Sequence, residues 1–388
     1  MINKATNFSE KSCKIYLVKL VITGGHHSSA LPVIKRIRDT NPSTGIFWIG
    51  HRRSMKGDVN DTLEYREITS LGIPFFDLKA GKVYKTFDPI RILKVPFGFF
   101  QALFLLIKIR PDVILSFGGY LAVPVVIAGW FLGIPSVTHE QTVVAGYANK
   151  VISLFAKKIL VSWPQSMKNF PKKKTIFSGI PLRKDLDEVR SENYSINKEL
   201  PTVFIVAGKT GSHTLNTLVF NNLEKLLKFC NLIHQCGDNS VFSDFEKLSQ
   251  RYQDLSKDNT LEGKYFPKKF IYSNEIGEVY AKADLVVSRA GAHTVSELLY
   301  LKKPCLLIPI PWVSHNEQYE NAKMLVESGL GKILNEKDCS EETFIQEIIK
   351  MLGSLHDYSI KDAKFRNIIR NDAEDIIVNE VIKTSGKS

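Results

Sequence analysis

Four short segments built on glycine turns, and a fifth rich in polar groups, bring together side chains that carry protons or hold anions. They are Thr23-Gly24-Gly25-His26, Phe117-Gly118-Gly119-Tyr120, His139-Glu140-Gln141, Ala207-Gly208-Lys209-Thr210-Gly211 and Arg289-Ala290-Gly291-Ala292. Glycine lets backbone N–H groups approach a phosphate, while imidazole, carboxylate and guanidinium supply a base, a hydrogen-bond acceptor and a forked cation. The set suits a nucleotide-linked donor on one lobe and an acceptor on another, with closure excluding water. Two commoner nucleotide chemistries are disfavoured. A GxGxxG dinucleotide fingerprint would need glycines where Gly24, His26 and Ser29 stand. The Ala207-Gly208-Lys209-Thr210 run imitates the end of a P-loop, but Val203 occupies the place of that motif's first glycine.

These loops are placed by what precedes them. Short β-branched runs read as strands: IYLVKLVIT, GIFWIG, IPFFDL, DVILSFGG, IPSVTHE, KILVS and KTIFSG, then TVFIVAG, NLIHQCG, KKFIYS, ADLVVSRAG and KPCLLIPI. Helix-like stretches separate them, as in parallel sheets wrapped by helices. Residues 179–200 are charged and poor in large apolar side chains, and read as the interdomain connection. The expected fold is α/β, two tandem Rossmann-like domains facing across a cleft, with boundaries at 1–181 and 182–361. The tail at about 362–388 is expected to pack back on the first domain. In such sheets ligands gather at the carboxyl ends of strands, where the informative residues fall.

Composition bounds the reading further. With 388 residues, 44% of them apolar, the chain can fill two cores, and disorder is excluded as its dominant state. A formal net charge of +12 and a pI near 9.2 point to an anionic partner: nucleic acid, lipid headgroups or a phosphorylated ligand. The five scattered cysteines form no CxxC and no His/Cys ligand spacing, so a reducing compartment and no structural zinc are expected. No secretory signal is read at the N-terminus. The greasiest stretch, residues 95–109, falls short of the roughly 20 apolar residues of a spanning helix.

At the loop residues the sequence resembles the MurG family. FGGYLAVPVVIAGWFLGIPSVTHEQTVVAGYANK, SGIPLRKD, HQCG, SRAGAHTVSELL and HNEQYENA occur in that family's order and spacing, from about Thr23 to Ile333. The resemblance implies a two-domain glycosyltransferase of the GT-B type, inverting, with no cofactor and no metal holding its sugar nucleotide. It implies transfer of N-acetylglucosamine (GlcNAc) from UDP-GlcNAc to the 4-hydroxyl of undecaprenyl-diphosphate-linked N-acetylmuramoyl peptide, in peptidoglycan synthesis.

Roles are carried over residue by residue. His26 matches the family's loop histidine, a base or acceptor-phosphate contact, and imidazole titrates near the working pH. Tyr120, His139, Glu140, Gln141 and Thr142 match acceptor-side residues, Glu140 being suited to orient the His139 ring. Thr23, Gly24 and Gly25 offer backbone donors to phosphate. On the donor side, Arg183 matches the hinge arginine, Lys209 and Gly211 the second glycine loop, and Ile271 the strand end whose backbone reads uracil. Arg289, Gly291, Ala292 and Thr294 surround a helix start that would face the departing UDP. Glu297 accepts from both ribose hydroxyls, and Glu317, Gln318 and Asn321 suit the sugar. The chain departs from the family's pattern at Val21-Ile22, Thr142, Ile180 and Lys209. Lys209 either neutralises the diphosphate as a point charge or points outward.

Arg91, Lys94, Phe97, Phe100, Phe104, Lys108 and Trp130 make an apolar face rimmed with cations, suited to an anionic membrane. The expected location is cytoplasmic, peripheral on the inner face of the cytoplasmic membrane, with UDP-GlcNAc and the lipid-linked acceptor as partners. The alternatives are a related UDP-sugar transferase acting on another lipid such as diacylglycerol, or a non-catalytic basic membrane- or nucleic-acid-binding protein. Nucleic acid is not expected as a partner, because no platform of interleaved aromatic and basic residues is present.

Overall fold

The computed structural model describes residues 17–25, 27–53, 61–81, 89–183, 185–208, 211–239, 241–258, 261–313, 316–366 and 368–387, with the side chains of 89–95, 364 and 366 left out. The expectations placed on His26 and Lys209, and on the side chains of Arg91 and Lys94, therefore lie outside the described residues.

The first half alternates strand and helix: β1 (Val18–Thr23), α1 (His27–Thr40), β2 (Thr44–Gly50), α2 (Leu63–Ser70), β3 (Phe75–Asp77), α3 (Pro89–Ile109) and β4 (Val113–Ser116). It continues through α4 (Ala122–Phe131), β5 (Ser136–Glu140), α5 (Tyr147–Phe155), β6 (Lys158–Val161) and β7 (Thr175–Phe177). These strands form one parallel sheet in the order β3-β2-β1-β4-β5-β6-β7. The second half repeats the plan with β8 (Thr202–Val206), α6 (His213–Leu226), β9 (Asn231–Gln235), α7 (Asp244–Leu255), β10 (Tyr265–Lys268) and α8 (Ile276–Lys282). Then come β11 (Leu285–Ser288), α9 (Ala292–Leu301), β12 (Cys305–Leu307), α10 (Glu317–Ser328) and β13 (Gly331–Ile333), giving a sheet ordered β10-β9-β8-β11-β12-β13. Three helices close the chain: α11 (Glu341–Leu352), α12 (Ala363–Arg366) and α13 (Ala373–Ser385).

The sheets are covered on both faces, which is why their strands read as continuous apolar runs. In β1, Val18, Leu20 and Ile22 pack with Val33, Ile34 and Ile37 of α1 and with Ile377, Val378 and Val381 of α13. Val21 points to the opposite layer, against Ala102 and Leu106 of α3 and Val125 and Val126 of α4. Each such side chain contributes about 1.5–3 kcal/mol by leaving water. Helix α13 is fixed to the first lobe by the Arg36–Asp375 ion pair, and Glu374 beside it accepts from the Leu182 N–H at 3.0 Å.

Two segments differ from expectation. KKFIYS reads as a strand, but β10 begins three residues earlier and ends at Lys268, and residues 269–273 lead away from it as a loop. Pro267, inside β10, is tolerated because β10 is an edge strand. The charged connection is docked as well: buried Glu278 accepts from the backbone of Asn193 and Tyr194 and from Ser191, and Tyr194 enters the second lobe's core.

In each sheet the winding direction reverses between two neighbouring strands, β1 and β4 in one and β8 and β11 in the other. The crevice at such a reversal is where doubly wound sheets bind ligands. Four of the five glycine-bearing or polar loops leave these four strands.

Candidate active site

The first crevice is built by two interlocked glycine turns. Gly24 has φ +135°, and a Cβ there would come within 2.8 Å of Gly118 O. The Gly25 N–H donates to that same carbonyl at 3.1 Å, and Gly118, at φ +67°, leaves no room for a Cβ beside the Asn149 amide. Close approach and left-handed backbone together demand glycine. Thr23 is buried at the end of β1, and α1 starts just past the turn. His27 Nε2 lies 2.8 Å from Glu67 Oε2 on α2.

At the end of β5 the expected pairing of Glu140 with His139 is not formed. Neighbours on a strand face opposite sides, so the two side chains diverge. His139 Nε2 lies 2.9 Å from Gly179 O and 3.3 Å from Ser162 Oγ. Glu140 instead accepts from Thr142 N, Thr142 Oγ1, Gly146 N and Asn149 Nδ2 at 2.8–3.1 Å, which organises the loop into α5. Thr142 Oγ1 also lies 2.6 Å from Val144 O, so its hydroxyl serves this loop. Gln141 is buried, and neither atom of its amide group has a partner among the described residues.

Tyr120 is partly exposed and lies 5.8 Å, ring to ring, from His51. Burial and the nearby Glu64 carboxylate raise its hydroxyl's pKa. Burial pushes Glu64 itself up to about 7, against the opposing effect of a 2.6 Å hydrogen bond from Trp48 Nε1. The His51 imidazole is lowered by burial. Nothing in the spacing of Trp48, His51, Glu64 and Tyr120 announces this group; only the packing of β2, α2 and the loop after β4 assembles it.

The second crevice opens into a cavity of about 500 Å³ between the lobes, lined among others by Ser28, Arg66, Ile271, His293, Thr294 and Glu297. Arg183 Nη2 lies 3.2 Å from Glu297 Oε1, and the Tyr280 hydroxyl donates to Glu297 Oε2 at 2.9 Å. Helix α9 begins after Gly291 with no side chain capping its first N–H groups. Those donors are the kind of site that holds phosphate. Gly211, at φ +73°, is required by contact: a Cβ would lie 1.9 Å from Cys236 O. Gln235 ties the crevice together, accepting from the Ile271 N–H at 2.9 Å and donating to Gly208 O at 2.8 Å.

Besides Gly25, whose N–H is spent on Gly118 O, three residues expected to meet the donor are otherwise engaged. The Arg289 guanidinium is buried against Glu336, donates to Ile308 O at 3.0 Å and to Ser212 Oγ at 2.9 Å, and so fixes the start of α6. Gln318 Oε1 accepts from the Ile310 N–H at 3.0 Å. Asn321, fully buried, joins the lobes by donating to Ala290 O at 3.2 Å and accepting from Val143 N at 3.4 Å.

Glu317 opens α10, and burial, helped by the Glu140 charge, pushes it up to about 7. From about pH 4.5 to about 7 the folded chain thus keeps a proton that the unfolded chain has lost, so stability falls as pH rises through that window. Glu317→Gln is expected to remove this slope and to gain on the order of 2 kcal/mol over the parent above that window. Melting temperatures of both proteins at about pH 4 and pH 8 check it; a constant difference would refute the buried carboxyl.

On the outer face of the first lobe, Phe97, Phe100, Phe104 and Ile107 of α3 are more than half exposed, as are Trp130 and Phe131 of α4 and Leu154 of α5. The opposite side of α3 packs Ala102, Leu105, Leu106 and Ile109 inward. Phe131 and Leu154 extend the patch beyond the residues singled out from sequence. No helix among the described residues is long and apolar enough to cross a membrane.

Residues 21–161 match the N-terminal domain of glycosyltransferase family 28, and residues 202–377 match its C-terminal domain. Two parallel-sheet lobes with a cleft between them thus define a two-domain GT-B glycosyltransferase. The UDP-N-acetylglucosamine--N-acetylmuramyl-(pentapeptide) pyrophosphoryl-undecaprenol N-acetylglucosamine transferase of Clostridium kluyveri is 31% identical over 377 residues, covering 94% of this chain and 99% of that protein. A transferase of the same name, numbered 2, from Bacillus cereus is 30% identical, covering 92% and 99%. The crystal structure of Acinetobacter baumannii MurG matches with a TM-score of 0.67 at 25% identity, over 94% of this chain and 99% of that one. The chain belongs to the MurG family. The UDP-GlcNAc 2-epimerase of Neisseria meningitidis, solved with UDP-GlcNAc, shares the fold alone, with a TM-score of 0.63 at 15% identity over 94% and 99% of the two chains.

Proposed function

We propose that this chain is an inverting, metal-independent transferase that moves GlcNAc from UDP-GlcNAc to the 4-hydroxyl of undecaprenyl-diphosphate-linked N-acetylmuramoyl peptide. The observation that carries the reading is the full-length similarity to transferases of that name together with the Arg183–Glu297–Tyr280 cluster beside the uncapped start of α9. A fixed carboxylate suits a ribose diol, and free helix N–H groups suit a diphosphate whose charge grows as the sugar departs. His26 is the base for the acceptor hydroxyl, with Tyr120 and the loop after β5 on the acceptor side.

The experiment is transfer of labelled GlcNAc from UDP-GlcNAc to the muramoyl lipid, compared with diacylglycerol under the same conditions. Labelled product on the muramoyl lipid supports the reading; product only on diacylglycerol sinks it. UDP should also raise the melting temperature, since a ligand binding only the folded state stabilises it by mass action.

The protein works as a peripheral enzyme on the cytoplasmic membrane face, without nucleic acid. The exposed aromatic face of α3 and α4, with Lys108, Arg110 and Lys150 exposed near it, supports this placement. Joint Phe104→Asp and Lys108→Glu substitution is expected to weaken binding to phosphatidylglycerol vesicles at least about tenfold, from lost apolar burial and lost attraction to the headgroups. Co-sedimentation measures it, and unchanged partitioning would remove the patch from membrane binding.

A further inference from the structure

His293 stands in the first turn of α9, between Ala292 and Thr294, and no motif singled it out. Its Nε2 lies 2.6 Å from the Oγ of Ser29, in the first turn of α1 on the other lobe. Ser29 is fully buried, whereas the His293 side chain lines the same cavity as Thr294 and Glu297. The contact therefore spans the cleft at the place where the two lobes present their glycine turns and helix starts to each other. An imidazole nitrogen bonded to a serine hydroxyl can donate equally well to a phosphate oxygen, and the charged acceptor makes the stronger bond.

We propose that His293 Nε2 is exchanged between Ser29 in the donor-free cleft and the diphosphate of a bound UDP-sugar, making His293 a donor-reading residue and Ser29 its resting partner. The inference rests on the reading of the cavity as a UDP-sugar site. No covalent bond changes; one hydrogen bond replaces another. Two consequences follow from the competition. Removing the imidazole takes away a contact that exists only when phosphates are present. Removing the Ser29 hydroxyl takes away the contact that the phosphates must displace, so the donor binds more tightly.

Calorimetric affinities for UDP and for uridine separate these effects from general damage, because uridine carries the base and ribose without phosphates. His293→Ala is expected to weaken UDP at least about tenfold while leaving uridine within about twofold, and Ser29→Ala to strengthen UDP about threefold to tenfold. His293→Gln keeps a hydrogen-bond donor of similar reach and is expected to bind UDP with intermediate affinity, which guards against an alanine variant that fails to fold. An unchanged ratio of UDP to uridine affinity in His293→Ala, or weaker UDP binding in Ser29→Ala, would overturn the exchange while leaving the donor site standing. A parent protein that binds UDP no better than uridine would overturn the donor reading itself, and this inference with it.

Discussion

Glu297→Gln is expected to raise the KM for UDP-GlcNAc about 10- to 100-fold, the range for loss of one or two hydrogen bonds to a charged group, with kcat falling far less. The carboxylate is held at both oxygens before any ligand arrives, by Arg183 at 3.2 Å and by the Tyr280 hydroxyl at 2.9 Å. Each oxygen has a second lone pair, so the group keeps acceptor capacity for a ribose diol while its position is fixed. Glutamine preserves shape but replaces one acceptor by an NH2 donor. That donor would face either the Arg183 guanidinium or the Tyr280 hydroxyl, and Arg183 would lose its counter-charge. Glu297→Ala is the harsher change, because it leaves both partners near the cavity unmatched. Steady-state kinetics with UDP-GlcNAc as the varied substrate measure the effect. A KM within threefold of the parent would detach Glu297 from the donor.

What the sequence displayed and what it hid follow one physical line. Gly24, Gly118, Gly208, Gly211 and Gly291 all end up in the loops that follow β1, β4, β8 and β11. They were legible because a doubly wound sheet puts its ligand loops at strand ends, and only glycine tolerates the left-handed backbone or close approach found at four of them. The fate of polar side chains was not legible, since it depends on partners distant in sequence. Arg289 in its glycine-rich loop has the look of a phosphate ligand, yet Glu336, after β13, claims its guanidinium. Glu140 beside His139 has the look of a dyad, yet strand geometry turns it towards Asn149. The Ser29–His293 bond spans the whole interval between the lobes, and no local pattern encodes it. Helix α3 is apolar on all sides in sequence; its inner and outer faces separate only once α4 and the sheet lie against one of them.

His26→Ala is expected to lower kcat by about 10²- to 10⁴-fold, the usual share of a general base, while UDP affinity stays within about threefold. His26 itself lies outside the described residues, but both of its neighbours are anchored. Gly25 N–H is bonded to Gly118 O, and His27 Nε2 is paired with Glu67 Oε2. Gly25 and His27 thus stand at fixed points just past the end of β1, beside the reversal of the sheet. His27, the adjacent imidazole, is engaged with α2, so His27→Ala should cost less than about tenfold if only one of the two histidines moves the proton. Single-turnover transfer of labelled GlcNAc separates chemistry from binding and product release. Near-normal turnover in His26→Ala would take the base role from it. The carboxyl to test next would be Glu64, which burial already pushes up to about 7, and which lies close enough to raise the Tyr120 pKa.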